Sequence, residues 1–169
     1  MMFLVHDTLE ERQEKIASYD DPFVAVLLAA ADFEWTVRRA ILALGISTTK
    51  EIKEDVLSRC SGLDKYKDAW KKEVEPLTGK GLSEIIPDWQ YVKEKAYPLR
   101  NRLVHGIDGV VTSQYAQERV KAILSASKAV AEFADSFGEP LYGRRIVRLK
   151  RRAKLRGSSS AKKKQESRS

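Results

Sequence analysis

The chain has 169 residues, 43% of them apolar and 33% charged, with a formal net charge of +7. That length and balance suit one soluble, helix-rich domain with a real hydrophobic core. A single cysteine, Cys60, excludes an internal disulfide framework and makes a reducing, cytoplasmic setting the expectation.

The start, Met1 to Leu9, lacks the basic flank and long apolar core of a signal peptide. The most apolar run, Phe23 to Ala31, is too short for a membrane span, so no membrane partner is expected. Charge is unevenly placed. Residues 141–169 carry twelve Lys/Arg against Glu166 alone, whereas residues 1–140 carry 19 Lys/Arg against 23 Asp/Glu. The expected organisation is a helical body over 1–140 and a basic tail over 141–169. The last dozen residues, low in complexity, read as disordered. The tail is either an electrostatic footprint for nucleic acid or a solubilising terminus.

In chain order, Thr8 with Glu11 forms a capping-box pattern that predicts a short helix to Ser18. Asp21 and Pro22 then open a long helix to Leu44, closed by Gly45. Its apolar stripe is Phe23, Val26, Leu27, Ala30, Phe33, Val37, Ile41 and Leu44. Thr48 with Glu51 starts a third helix that stops near Gly62, and Leu63 to Val74 makes a fourth. Leu77 to Pro87 reads as a loop with a short helical turn. Asp88 is the expected cap of a helix from Trp89 to His105, which Pro98 should kink or split. Gly106 fits the glycine position just past a helix end. After a turn over Ile107–Val111, Thr112 or Ser113 caps a last helix to about Phe137. Its core face is Ala116, Val120, Ile123, Ser127, Val130, Ala134 and Phe137. No stretch alternates with period two, so the predicted fold class is all-α, an antiparallel helical bundle.

The chemistry concentrates in Tyr97–Gly106. Asn101 and His105 are four residues apart and share a helix face, while Arg100 lies about 100° round from Asn101. A histidine can take a proton from a nucleophile or give one to a leaving group near neutral pH. An arginine supplies a planar fork for phosphate oxygens. That set suffices for RNA cleavage without a metal, in which the 2′-hydroxyl attacks phosphorus and the 5′-oxygen leaves. No carboxylate pair has ligand spacing around His105, and no glycine-rich phosphate loop is present, so neither metal nor cofactor is expected.

The string Arg100-Asn101-x-Leu103-Val104-His105-Gly106 resembles the signature of the HEPN superfamily: an arginine, a polar residue and a histidine a few positions on. The resemblance is to the RiboL-PSP-like and related single-domain members. It implies an all-α bundle and metal-independent endoribonuclease activity, often in toxin–antitoxin or antiphage systems. It also implies a homodimer with one composite cleft, and an antitoxin or inhibitor as a further partner. Arg100, Asn101 and His105 take the catalytic positions. Ile107 stands where HEPN toxins paired with nucleotidyltransferase antitoxins usually carry tyrosine. A second element, Glu34-x-x-x-Arg38-Arg39, is similar to a pattern that some HEPN ribonucleases place in an earlier helix facing the cleft. On that reading Arg38 or Arg39 adds positive charge for the substrate and Glu34 orients an arginine; otherwise Glu34 and Arg38 form an ordinary i,i+4 ion pair. Arg102 faces either solvent or the RNA path. Trp35, Trp70, Trp89 and Tyr97 read as core or interface before base-stacking surfaces. Cys60 reads as a buried small hydrophobe, and His6 has no partner spacing. The alternative function is a non-catalytic helical module for RNA or protein, in which Arg100 and His105 only secure a helix end or dimer interface.

Overall fold

The computed structural model describes residues 6–106 and 112–146, and among these every regular element is helical. The elements are α1 (Leu9–Ala17), α2 (Pro22–Leu44), α3 (residues 49–59), α4 (Leu63–Glu73), α5 (Glu75–Thr78), α6 (Leu82–Ile85), α7 (residues 89–105) and α8 (Ser113–Ser136). Two of them are irregular. Helix α3 passes from Thr49–Glu51 into a π turn, Ile52–Val56, and a 3-10 turn, Leu57–Arg59; α7 carries a π turn, Val92–Ala96, between Trp89–Tyr91 and Tyr97–His105. The turn expected over 107–111 and the disorder expected of the last dozen residues lie outside the described residues.

Local signals set the helix starts. Thr8 and Thr48 each accept a hydrogen bond from the backbone N–H three residues on, and Glu11 and Glu51 reach back to complete both capping boxes. Asp21 caps α2 through Phe23 and Val24, and Thr112 caps α8 through Tyr115. Replacing Thr8 with alanine removes one such bond, and should lower unfolding free energy by about 1 kcal/mol in urea denaturation. Asp88 departs from expectation: its backbone is left-handed (φ 51°) and its side chain caps nothing. Capping needs an extended backbone to turn the carboxylate onto the first turn, and the reversal after Pro87 denies it that geometry. Gly106 also departs, being extended (φ −81°) instead of left-handed. Glycine is required there by space, because a Cβ would lie 2.3 Å from the Arg102 carbonyl oxygen.

Helix α1 runs antiparallel to α2, joined by Arg12 and Asp32 at their middles, and α7 runs antiparallel to α8. The most extensive packing, of α2 on α8, is parallel: their first turns line one cavity through Pro22, Ala25, Ser113 and Ala116, and Asp32 lies level with Ser127. Both partners bury small residues, Ala29, Ala30 and Ala40 on α2 and Ala126, Ser127 and Ala134 on α8, which suits close helix packing. Around them Phe33, Ile41, Leu44, Tyr66, Trp70 and Ile123 are fully buried, each apolar side chain contributing roughly 1.5–3 kcal/mol. The predicted stripes hold except at their ends, where Phe23 and Phe137 are exposed. Trp70 and Tyr97 lie in the core and Trp89 at its edge; Trp35 is half-buried among Arg12, Arg39 and Tyr142, and Cys60 is half-buried, with burial pushing its thiol pKa up.

The body continues past the expected boundary at residue 140. Leu141 is buried, and Tyr142 packs against Trp35 with ring centroids 5.2 Å apart. Beneath it Arg12 Nε donates to Asp32 Oδ1 at 2.7 Å, and the guanidinium stacks on Trp35. No helix among the described residues is long and apolar enough to cross a membrane.

Candidate active site

The middle of α2 and the second half of α7 meet at Glu34. Its carboxylate accepts hydrogen bonds from the hydroxyls of Tyr97 on α7 and Tyr66 on α4, and Arg100 Nη2 lies 3.9 Å from Oε1. Burial, reinforced by the Glu34 charge, raises the Tyr97 pKa, so its hydroxyl stays a donor to Glu34 at neutral pH. Tyr66 is raised too, chiefly by burial. Its hydroxyl also accepts from Arg38 Nη1 at 3.1 Å, so Tyr66 stands between Glu34 and Arg38 where a direct i,i+4 pair was the alternative.

Arg100 is braced from two sides. Besides Glu34, its Nη1 donates to Asn101 Oδ1 at 3.1 Å, which closes the 100° gap that helical geometry puts between the two residues. The side chain keeps 34% exposure, enough for donors to remain open to a ligand. Asn101, Arg102, Val104 and His105 are exposed around the last two turns of α7, while Leu99 and Leu103 anchor the helix in the core. His105 is the last helical residue, and Asn101 stands one turn before it.

The structure therefore brings together Glu34, Arg38 and Arg100, with Asn101 and His105 following on the exposed face of the same helix. It does not bring Arg39 to them. Arg39 points to the other side of α2, where Nε donates to the Leu141 carbonyl at 2.7 Å and the guanidinium stacks on Trp35. A further bond to the Arg144 carbonyl fixes it there, holding the segment after α8. Arg102 turns toward α8 and donates from Nη2 to the Tyr115 hydroxyl at 3.2 Å.

No protein-family model matches this chain, and no curated protein or solved structure matches it either. Among the described residues no three of His, Cys, Asp and Glu stand close enough together to hold a metal ion.

Two tyrosines of the cluster, Tyr66 and Tyr97, escaped the sequence reading as site residues. Each sits in an apolar stripe, and a buried phenol demands a polar partner; that demand was the available signal. The Arg102–Tyr115 contact left none, since it joins two helices across the 107–111 connection.

Chemically, the cluster offers a guanidinium held in a defined direction on a helix that ends in an exposed imidazole. A fixed guanidinium stabilises charge building on a phosphate without reorganising during the reaction. The imidazole supplies proton transfer. Glu34 is held by two phenols and lies within ion-pair distance of Arg100.

Proposed function

We propose that the chain is an endoribonuclease that cleaves RNA without a metal ion. The 2′-oxygen attacks the adjacent phosphorus as its proton passes to a base. The new O2′–P bond replaces the P–O5′ bond, and the departing 5′-oxygen takes a proton from an acid. The products are a 2′,3′-cyclic phosphate and a 5′-hydroxyl. Arg100 binds the phosphate, Asn101 and Glu34 position it, and His105 moves the proton. The observation that carries this reading is the two-sided bracing of a part-exposed Arg100 on the helix that ends in His105.

One His105 offers one proton-transfer group where the reaction needs an acid and a base, so the reading extends to a homodimer with two motif helices lining one cleft. The exposed apolar Val104, between the motif residues, suits such a contact. The resemblance to HEPN ribonucleases extends it further, to a toxin or antiphage effector held in check by a protein inhibitor. A second reading, a non-catalytic RNA- or protein-binding module, draws on the Glu34 ion pair, which offsets part of the Arg100 charge.

The test is incubation of purified protein with single-stranded RNA in excess EDTA, with the product ends identified. Cyclic phosphate ends are expected, and Arg100→Ala should slow their formation by about 10²–10³-fold, as for loss of one preorganised donor. Absence of cleavage by the wild type, or full cleavage by Arg100→Ala, would overturn the proposal and favour the binding module.

A further inference from the structure

Next to the motif, α7 and α8 build a second cluster from residues outside the proposed catalytic set. Tyr115, in the first turn of α8, is 37% exposed. Arg119, one turn on, is buried, and its Cζ lies 3.1 Å from the centre of the Tyr115 ring. Arg119 Nη1 also donates to the Tyr115 carbonyl at 3.0 Å and meets Glu118 Oε2 at 3.4 Å, while its buried Nε has no hydrogen-bond partner. Tyr91 flanks the guanidinium from α7, 5.8 Å away. One face of the Tyr115 ring is thus covered by a buried cation and the ring is held still. The exposed Arg102 meets the hydroxyl edge of the same ring.

A phenol ring fixed from behind, with an arginine fork at its rim, has the two elements that bind single-stranded nucleic acid: a platform for a base and a cation for the neighbouring phosphate. Immobilising the ring in advance lowers the entropy lost on binding. Arg102 and His105 are three residues apart on α7, so the cation at the rim of this platform and the proposed proton-transfer residue are neighbours on one helix.

We infer that Tyr115, Arg119 and Arg102 form a nucleotide-binding subsite that stacks one base of a single-stranded RNA and grips its phosphate beside the cleaved bond. The inference rests on the ribonuclease reading and adds to it a substrate class, unpaired RNA, because a base inside a duplex has no free face to offer. Arg119 is a positioning residue, whereas Tyr115 and Arg102 touch the ligand.

The experiment measures binding of a short fluorescein-labelled single-stranded RNA by anisotropy, using full-length protein carrying His105→Ala to prevent turnover. Tyr115→Ala should weaken binding roughly 5- to 150-fold, the effect of losing one stacked base. Tyr115→Phe keeps the ring and should stay near the parent. Arg102→Gln should reduce the slope of log affinity against log salt by about 0.7, one phosphate contact to a single strand. If Tyr115→Ala does not fold, Tyr115→Leu replaces it as a side chain without a π face. Unchanged affinity in the folded variant overturns the subsite, as does equal loss in Tyr115→Phe, which would assign the effect to the hydroxyl. Loss of dimer with RNA binding intact also overturns it, assigning this surface to a second copy. If the parent binds no RNA, the ribonuclease reading falls with it. If the parent binds RNA and the folded Tyr115→Ala variant binds it equally well, the subsite alone falls.

Discussion

His105→Ala should lower the rate of RNA cleavage by about 10²–10⁴-fold, the usual contribution of a positioned acid or base. Its thermal transition should stay where it is. The imidazole is exposed at the end of α7, and substitutions at such positions usually move stability by less than about 0.5 kcal/mol. Even a favourable interaction with the helix dipole contributes only ~0.3–1 kcal/mol. Rate and stability therefore part company if the residue is chemical and move together if it is structural. Cleavage kinetics and a melting curve on the same preparation decide between them. A stable variant with wild-type cleavage would remove His105 from the reaction, and an unfolded one would assign it to holding the helix end.

Asp32→Ala should have the largest effect on stability, lowering unfolding free energy by about 3–5 kcal/mol in urea denaturation. Asp32 and Arg12 are both buried, and removing the carboxylate strands the guanidinium among Trp35 and Tyr142. Burial holds the Asp32 carboxyl above its ordinary 3.8, an effect only partly offset by the hydrogen bond and charge of Arg12. The folded state thus binds that proton more tightly than the unfolded chain. Its contribution to stability is full below about 3.8 and declines as pH rises through the folded value. Two results should follow. Asp32→Asn, which keeps a polar group of the same shape, should cost less than Asp32→Ala. The double variant Arg12→Met, Asp32→Leu should recover most of the loss, because buried ion pairs gain little over well-packed apolar groups. A loss below ~1 kcal/mol for Asp32→Ala would show the pair to behave like a surface contact.

These expectations divide along what the sequence makes legible. Caps at Thr8, Asp21, Thr48 and Thr112 are readable because each is decided within four residues by one side chain and one backbone N–H. The apolar stripes of α2 and α8 are readable for the same local reason. Arg39 is not, because its partners are carbonyls about a hundred residues away, and nothing in Glu34-x-x-x-Arg38-Arg39 says which arginine the segment after α8 will capture. Glu34 and Arg100 were both singled out from sequence, but the two phenols joining them to the core come from helices whose packing no spacing rule specifies. The parallel course of α2 and α8 is invisible for a related reason: a stripe shows that a helix has a partner, not which way the partner runs.

The π turn at Val92–Ala96 works as a phase shift. The Tyr97 N–H bonds back five residues, to the Val92 carbonyl, just before Pro98, which has no N–H of its own to give. In an unbroken α-helix Tyr97 would stand about 140° round from Val92. The wider turn carries it back over the buried side, where its hydroxyl meets Glu34, and Arg100 follows three residues later. The aim of the arginine is therefore written in chain length as well as in residue identity. Straightening this turn into regular α-helix at unchanged chain length would leave every motif residue in the sequence yet swing the constellation by roughly 90°, and removing one residue at the same time would bring it back. In this scaffold a change of helix type one turn upstream re-aims Arg100 without touching any residue of the motif.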